Sequence, residues 1–328
     1  MEQHNEKKAI MKINKLCKEF HIKSGKFMRS SQILYALNDI SLDVYEGETL
    51  GIIGESGCGK STLGRCIVRL HKPTSGEIIY NDEDISKLKG NDSKRICKDI
   101  QMIFQDPFSS LNPRKTAGQL IAEPMIIHKM GLSKKERNDK VIKLMREVGL
   151  DVQHFYRFPH EFSGGQRQRV NIARALALDS KIIVCDEPVS ALDVSIQAQV
   201  LNLLNELQSQ RNLTYIFISH DLGVIKHISD RIVIMYLGKI VELCNAKDIY
   251  DVPMHPYTQA LLSAIPPKNP FENKKRIMLE GEIPSPIGMR KYCPLSSRCP
   301  KVMDKCRNNM PELKKVDKNH QVACFLYD

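Results

Sequence analysis

Two spacings of apolar residues alternate along this chain. Residues 33–44 (ILYALNDISLDV) place apolar side chains at alternate positions and run into Glu46-Gly47-Glu48, the pattern of a half-buried strand closing on a turn. Thr49–Ile53 follows as a short, continuous apolar run. Residues 181–187 (KIIVCDE) and 214–221 (TYIFISHD) repeat that kind of run, which predicts strands buried on both faces. Between these two the spacing becomes helical: in residues 197–210, Val200, Leu203, Leu204 and Leu207 share one face at i, i+3, i+4 and i+7. Buried strands alternating with helices predict an α/β fold whose parallel sheet is covered on both faces.

Residues 106–160 carry no comparable strand and read as mainly helical from 133 to 148, so an inserted helical subdomain is expected there. The last quarter differs again. Ten of the sixteen prolines lie from Pro253 onward, and long regular elements are not expected in such a segment.

Composition narrows the class. With 42% hydrophobic and 27% charged residues the chain reads as globular and soluble. No stretch approaches the roughly 18 to 20 uncharged apolar residues of a spanning helix, and the opening MEQHNEKK lacks the apolar core of a signal peptide. The expectation is a chain that stays in the cytoplasm and reaches a membrane through another protein or through surface charge. The net charge of +11 sits at the ends: +5 in residues 1–29 and +6 in residues 268–328. A neutral middle argues against a nucleic-acid reader, whose basic surface lies on its folded core; basic ends suit anionic headgroups or solubility.

Chemistry enters with Gly54-Glu55-Ser56-Gly57-Cys58-Gly59-Lys60-Ser61-Thr62, which fits G-x-x-x-x-G-K-[ST] between a predicted strand and a helix expected from about Thr62. Glycines 54, 57 and 59 let the backbone curl so that amides and a helix N-terminus face a polyphosphate. Lys60 can reach the outer phosphates, and the Ser61 hydroxyl can bind Mg²⁺. Farther on, Asp186 and Glu187 close an apolar strand, at the carboxyl end where doubly wound sheets bind ligands. Asp186 is placed to hold Mg²⁺ and Glu187 to polarise an attacking water. These residues describe a nucleotide-hydrolysing enzyme.

Residues 162–169 (FSGGQRQR) sharpen that reading, because they resemble the signature sequence of ABC ATPases, with Phe162 where Leu is more usual. Ser163 makes a helix cap. The resemblance implies that Ser163, Gly164, Gly165 and Gln166 close over the γ-phosphate held by the glycine loop of a second subunit. It also implies that Gln105 senses Mg²⁺ and water, that His220 contacts the γ-phosphate, and that residues 190–193 (SALD) join two ATP sites across a dimer. For the adenine-stacking aromatic it points to Phe20, with Phe27 or Tyr35 as alternatives.

Residues 100–114, 185–200 and 255–266 (HPYTQALLSAIP) look like the oligopeptide and dipeptide permease branch, and the chain resembles its ATP-binding subunits over nearly its whole length. The resemblance implies an ABC nucleotide-binding domain over residues 8–253, with an antiparallel β subdomain and a helical subdomain at about 106–175. A C-terminal extension would cover 254–328. It further implies ATP and Mg²⁺, two membrane-spanning permease subunits, a second similar ATPase and an extracytoplasmic peptide-binding protein, with the chain peripheral on the cytoplasmic face. Related subunits serve nickel and other small solutes. ABC ATPases acting on nucleic acid commonly carry a long coiled-coil insertion or two ATPase domains, and neither pattern occurs in this sequence.

Cysteine usage is uneven. Six of ten are scattered, whereas Cys293, Cys299, Cys306 and Cys324 crowd the proline-rich tail. Their spacing is a poor zinc match, since zinc sites usually begin with C-x2 to 4-C pairs. The family resemblance implies a [4Fe–4S] cluster, with Zn²⁺ and metal-free thiols as the alternatives.

Overall fold

The computed structural model describes residues 8–23, 31–265, 276–288 and 291–328. They form two compact units, each built from separated stretches of chain.

One unit gathers residues 9–44, 49–86 and 219–328. Four strands lie in the order Ser31–Tyr45, Ala9–Lys23, Ser75–Tyr80, Glu83–Asp84, with Met11 opposite Tyr80 and Asn14 opposite Glu77 in the antiparallel pair. This is the expected antiparallel β layer. A second set starts with Thr49–Ile53, parallel to Arg231–Tyr236, and continues antiparallel through Lys239–Asn245, His320–Val322 and Lys314–Asp317. Thr49–Ile53 is buried at every position, as its unbroken apolar run requires. The last two strands belong to the C-terminal tail, so the tail prolongs this sheet.

The tail also holds an eight-residue helix at Pro256–Ser263, short as its proline content leads one to expect. Pro256 occupies the first helical turn, where its missing N–H costs nothing, and His255 caps it by accepting the Tyr257 amide on Nδ1 at 3.2 Å. Beneath it the buried Glu242 carboxylate accepts the amides of Met254 (2.8 Å) and His255 (2.9 Å) and meets His320 Nε2 at 2.7 Å.

A capping His255 must be neutral, and burial holds its imidazole down to about 4 against the opposing pull of Glu242. The unfolded chain binds this proton near pH 6.5, so stability falls as pH drops from there toward 4. Denaturant titrations should therefore show about 2 kcal/mol less stability at pH 5 than at pH 8 from this group. His255→Asn, which still caps, should lose that share of the slope. An unchanged slope would show that His255 does not carry it.

The other unit gathers residue 8 with residues 45–48 and 87–218. Its parallel strands run in the order Thr214–Ile218, Ile182–Asp186, Ile100–Ile103, with Cys185 flanked by Phe217 and Ile103. Helix Val194–Arg211 buries Val200, Leu203, Leu204 and Leu207, the face read from the sequence. Helices Ala117–Ile127, Lys134–Glu147 and Gly164–Leu176 form the helical part. The first of these was not anticipated. It contains Pro124, but Thr116 and Gln119 start it with a reciprocal capping box.

Candidate functional site

The buried Thr49–Ile53 strand delivers the chain to Gly54, and the loop ends at Gly59 where helix Lys60–Ile67 begins. Gly59 has φ +107°, and a Cβ there would lie 2.4 Å from the Ala36 carbonyl oxygen, so both backbone and space require glycine. No side chain caps this helix. A glycine start of this kind presents the positive helix end and its amides to an anion. Lys60 is 5% exposed, and its ammonium donates to the carbonyls of Gly54 (2.8 Å) and Glu55 (3.1 Å), which fixes it against the loop. Glu55, Ser56, Gly57 and Cys58 form the body of the turn, with the Cys58 amide donating to Glu55 O at 3.3 Å. Ser61 and Thr62 lie in the first helical turn, so the helix starts two residues before the expected Thr62.

His220 belongs to the same unit and is exposed just beyond Ser219, whose amide donates to Ile52 O at 3.1 Å. The neighbouring Asp221 is used as a cap, accepting the amides of Gly223 (2.7 Å) and Val224 (3.3 Å). Phe20 also lies in this unit, edge-on to His71 at 5.5 Å and with Lys18 Nζ 4.9 Å from its ring centre. Tyr35 donates its amide to Pro286 O at 3.1 Å, and Phe27 lies outside the described residues.

In the other unit, Asp186 is 2% exposed at the end of a wholly buried strand. Glu187 turns the chain with φ +47°, a left-handed conformation that a non-glycine residue adopts at a cost of order 1 to 3 kcal/mol. Surrounding hydrogen bonds hold it there. Its amide donates to Ile218 O (2.9 Å), while its carbonyl accepts the Ser190 hydroxyl (3.0 Å) and amide (3.3 Å). Gln105 Nε2 donates to Glu187 Oε2 at 2.9 Å. The two residues are thereby joined across 82 positions of sequence. Gln197 Nε2 reaches the carbonyls of Val189 (3.0 Å) and Leu192 (3.1 Å) and so pins the SALD turn from the following helix. Sequence reasoning missed this side chain, because one polar residue in a first helical turn has no pattern of its own.

Ser163 caps helix Gly164–Leu176 as expected: its hydroxyl accepts the Gln166 amide at 3.3 Å, and Gln166 Oε1 accepts the Ser163 amide at 3.0 Å. Gly164 and Gly165 occupy the first turn. The same helix holds the segment that follows Gln105. Arg167 lies 3.7 Å from the Phe108 ring centre and donates to Pro159 O at 2.6 Å, and Arg174 donates to Ser110 O at 2.6 Å. The signature helix and the Gln105 segment are mechanically tied.

Mg²⁺ takes oxygen donors, and each unit carries some by itself: the Ser61 hydroxyl in one, the Asp186 carboxylate and the Gln105 amide oxygen in the other, with Gln105 Nε2 donating to Glu187. Few protein oxygens are needed, because Mg²⁺ keeps several waters and takes phosphate ligands. When bound it would neutralise charge on the phosphates.

The cysteine expectation requires correction. Among the described residues, no group of three or more His, Cys, Asp or Glu side chains is arranged to hold a metal ion. Cys293, Cys299, Cys306 and Cys324 do approach one another, and the Cys293 amide donates to Cys306 O at 3.1 Å. Burial pushes the Cys293 thiol up to about 12 and raises Cys299 and Cys324, the neighbouring sulfurs adding to the effect. Neither the [4Fe–4S] cluster nor the Zn²⁺ alternative is supported.

A glycine loop with its lysine, a strand-end carboxylate pair bonded to a glutamine, and a capped SGGQ helix define a P-loop ATPase of the ABC class. Residues 37–190 match the ABC transporter family, and residues 241–306 match the oligopeptide/dipeptide transporter C-terminal region. The chain is 52% identical over 322 residues to the oligopeptide transport ATP-binding protein AppF of Bacillus subtilis, covering 97% of this chain and 98% of that one. It is 49% identical to the oligopeptide transport ATP-binding protein OppF of Salmonella typhimurium, covering 98% of each, and 47% identical to the dipeptide transport ATP-binding protein DppF of Haemophilus influenzae, covering 95% of each. Among solved structures, the ATP-binding cassette MJ0796 bound to ADP and Pi superposes with TM-score 0.64 at 32% identity, over 72% of this chain and 98% of that one. This chain belongs to the family of oligopeptide and dipeptide ABC transporter ATP-binding proteins.

Proposed function

We propose that this chain binds and hydrolyses ATP to power an ABC importer for oligopeptides or dipeptides. The observation that carries the reading is identity of 52% across 97% of the chain to a protein named for oligopeptide transport, with every ATP motif intact. Residues 8–253 serve as the nucleotide-binding domain, with the helical subdomain at about 106–175, and 254–328 as the extension.

Lys60 and the loop amides hold the outer phosphates, with Phe20 against the base. Ser61, Asp186 and Gln105 attend the Mg²⁺, Glu187 polarises the attacking water, and His220 contacts the γ-phosphate. Ser163, Gly164, Gly165 and Gln166 act on nucleotide held by a second, similar subunit, and the bonds from Arg167 and Arg174 to the Gln105 segment let closure at one reach the other. Two permease subunits and an extracytoplasmic peptide-binding protein complete the transporter, and this chain works on the cytoplasmic face as a peripheral subunit.

No helix among the described residues is long and apolar enough to cross a membrane, and in this reading the permeases hold the chain there. Expressed with its permease subunits, the chain should move to the membrane fraction and stay there in high salt. Attachment that vanishes in moderate salt would mean lipid charge alone, and would contradict the assignment.

A further inference from the structure

The outer side of the phosphate-binding loop is held by the C-terminal region. The Glu55 amide donates to the Tyr257 hydroxyl at 2.8 Å, and the Glu55 carboxylate pairs with Arg298 Nη1 at 3.2 Å. Arg298 is 10% exposed at its side chain and also donates to the Tyr236 hydroxyl at 3.3 Å. Tyr236 and Tyr257 are both buried, with ring centres 4.7 Å apart, so neither anchor can move without disturbing the other. Glu55 faces the other way through its carbonyl, which accepts the Cys58 amide and the Lys60 ammonium at 3.1 Å. The peptide that holds the phosphate lysine is thus itself held, on its amide and its side chain, by residues 202 and 243 positions away.

We infer that Arg298 and Tyr257 are positioning residues that preorganise the phosphate-binding loop, so that the C-terminal region sets the affinity of the site for nucleotide. The inference rests on the ATPase reading above. A loop already fixed binds phosphate without first being ordered, and the benefit falls on ground-state binding more than on the chemical step. Neither residue touches nucleotide in this scheme. Both act through Glu55.

The test uses the full-length chain and Mg²⁺–ATP, with Kd from calorimetry and kcat and KM from phosphate release. Arg298→Ala should raise Kd and KM about tenfold, the equivalent of about 1.4 kcal/mol, and leave kcat within about twofold. Arg298→Lys should recover most of the loss, because its ammonium can still meet the carboxylate. Tyr257→Phe keeps the ring contact and removes only the hydroxyl, and it should weaken ATP in the same direction. In a Glu55→Ala background Arg298→Ala should cost nothing further. Wild-type affinity in both Arg298→Ala and Tyr257→Phe, or an Arg298→Ala effect undiminished without Glu55, would overturn the inference. Failure of the wild-type chain to bind ATP would overturn the ATPase reading first.

Discussion

Glu187→Gln should bind ATP nearly as the wild type does and lose turnover by about 10²- to 10⁴-fold, the usual contribution of a positioned general base. The structure makes this a clean change. Gln105 donates to Glu187 Oε2, and an amide oxygen at the same position can still accept that bond, so geometry survives while basicity is removed. The backbone at residue 187 is fixed independently by Ile218 and Ser190. Binding therefore stays and the ATP-bound state accumulates. The measurement is steady-state phosphate release in a complex whose other ATP site is disabled, beside direct ATP binding. Near-normal hydrolysis would rule Glu187 out as the activating group.

Lys60→Ala should act on binding itself, weakening ATP by about 10- to 100-fold, as expected for one charge-assisted hydrogen bond to phosphate. Lys60 is buried and fastened to the carbonyls of Gly54 and Glu55, so its ammonium stands at the loop before nucleotide arrives. Its loss removes a contact present in the ground state, and KM rises accordingly. Equilibrium titration with Mg²⁺–ATP separates the two variants: weak binding for Lys60→Ala, retained binding for Glu187→Gln. Unchanged affinity in Lys60→Ala would remove the lysine from the phosphate site.

Local features were legible from sequence where one physical signal decided them. Continuous apolar runs gave Thr49–Ile53 and Ile182–Asp186, and a 3.6-residue spacing gave the buried face of Val194–Arg211. Elements set by a balance of signals were not. The Ala117–Ile127 helix, which contains Pro124, had no span of its own in the sequence pattern, and the proline-rich tail gave no sign that Pro256 would start a short helix. The site divides in the same way. The phosphate loop is contiguous and readable from its own residues, whereas Gln105 entered the site only through resemblance and its bond to Glu187 had no signal in the sequence. The Arg298 and Tyr257 contacts with Glu55 had no signal at all, because spacing says nothing about which distant residues the fold brings together. The four cysteines show the opposite error. Their crowding in sequence suggested a metal that their placement does not support.

The central claim, that ATP hydrolysis by this chain powers peptide import, is tested most directly by uptake of a labelled oligopeptide into proteoliposomes. These would hold the permease subunits, the second ATPase and this chain on the outer face, with the peptide-binding protein and peptide sealed on the opposite side, so that import appears as delivery to the ATP-bearing medium. The account predicts delivery that requires Mg²⁺–ATP and stops when Glu187→Gln replaces the wild-type chain. Delivery that proceeds equally with Glu187→Gln, or none with the wild-type chain while a different small solute moves, would contradict it.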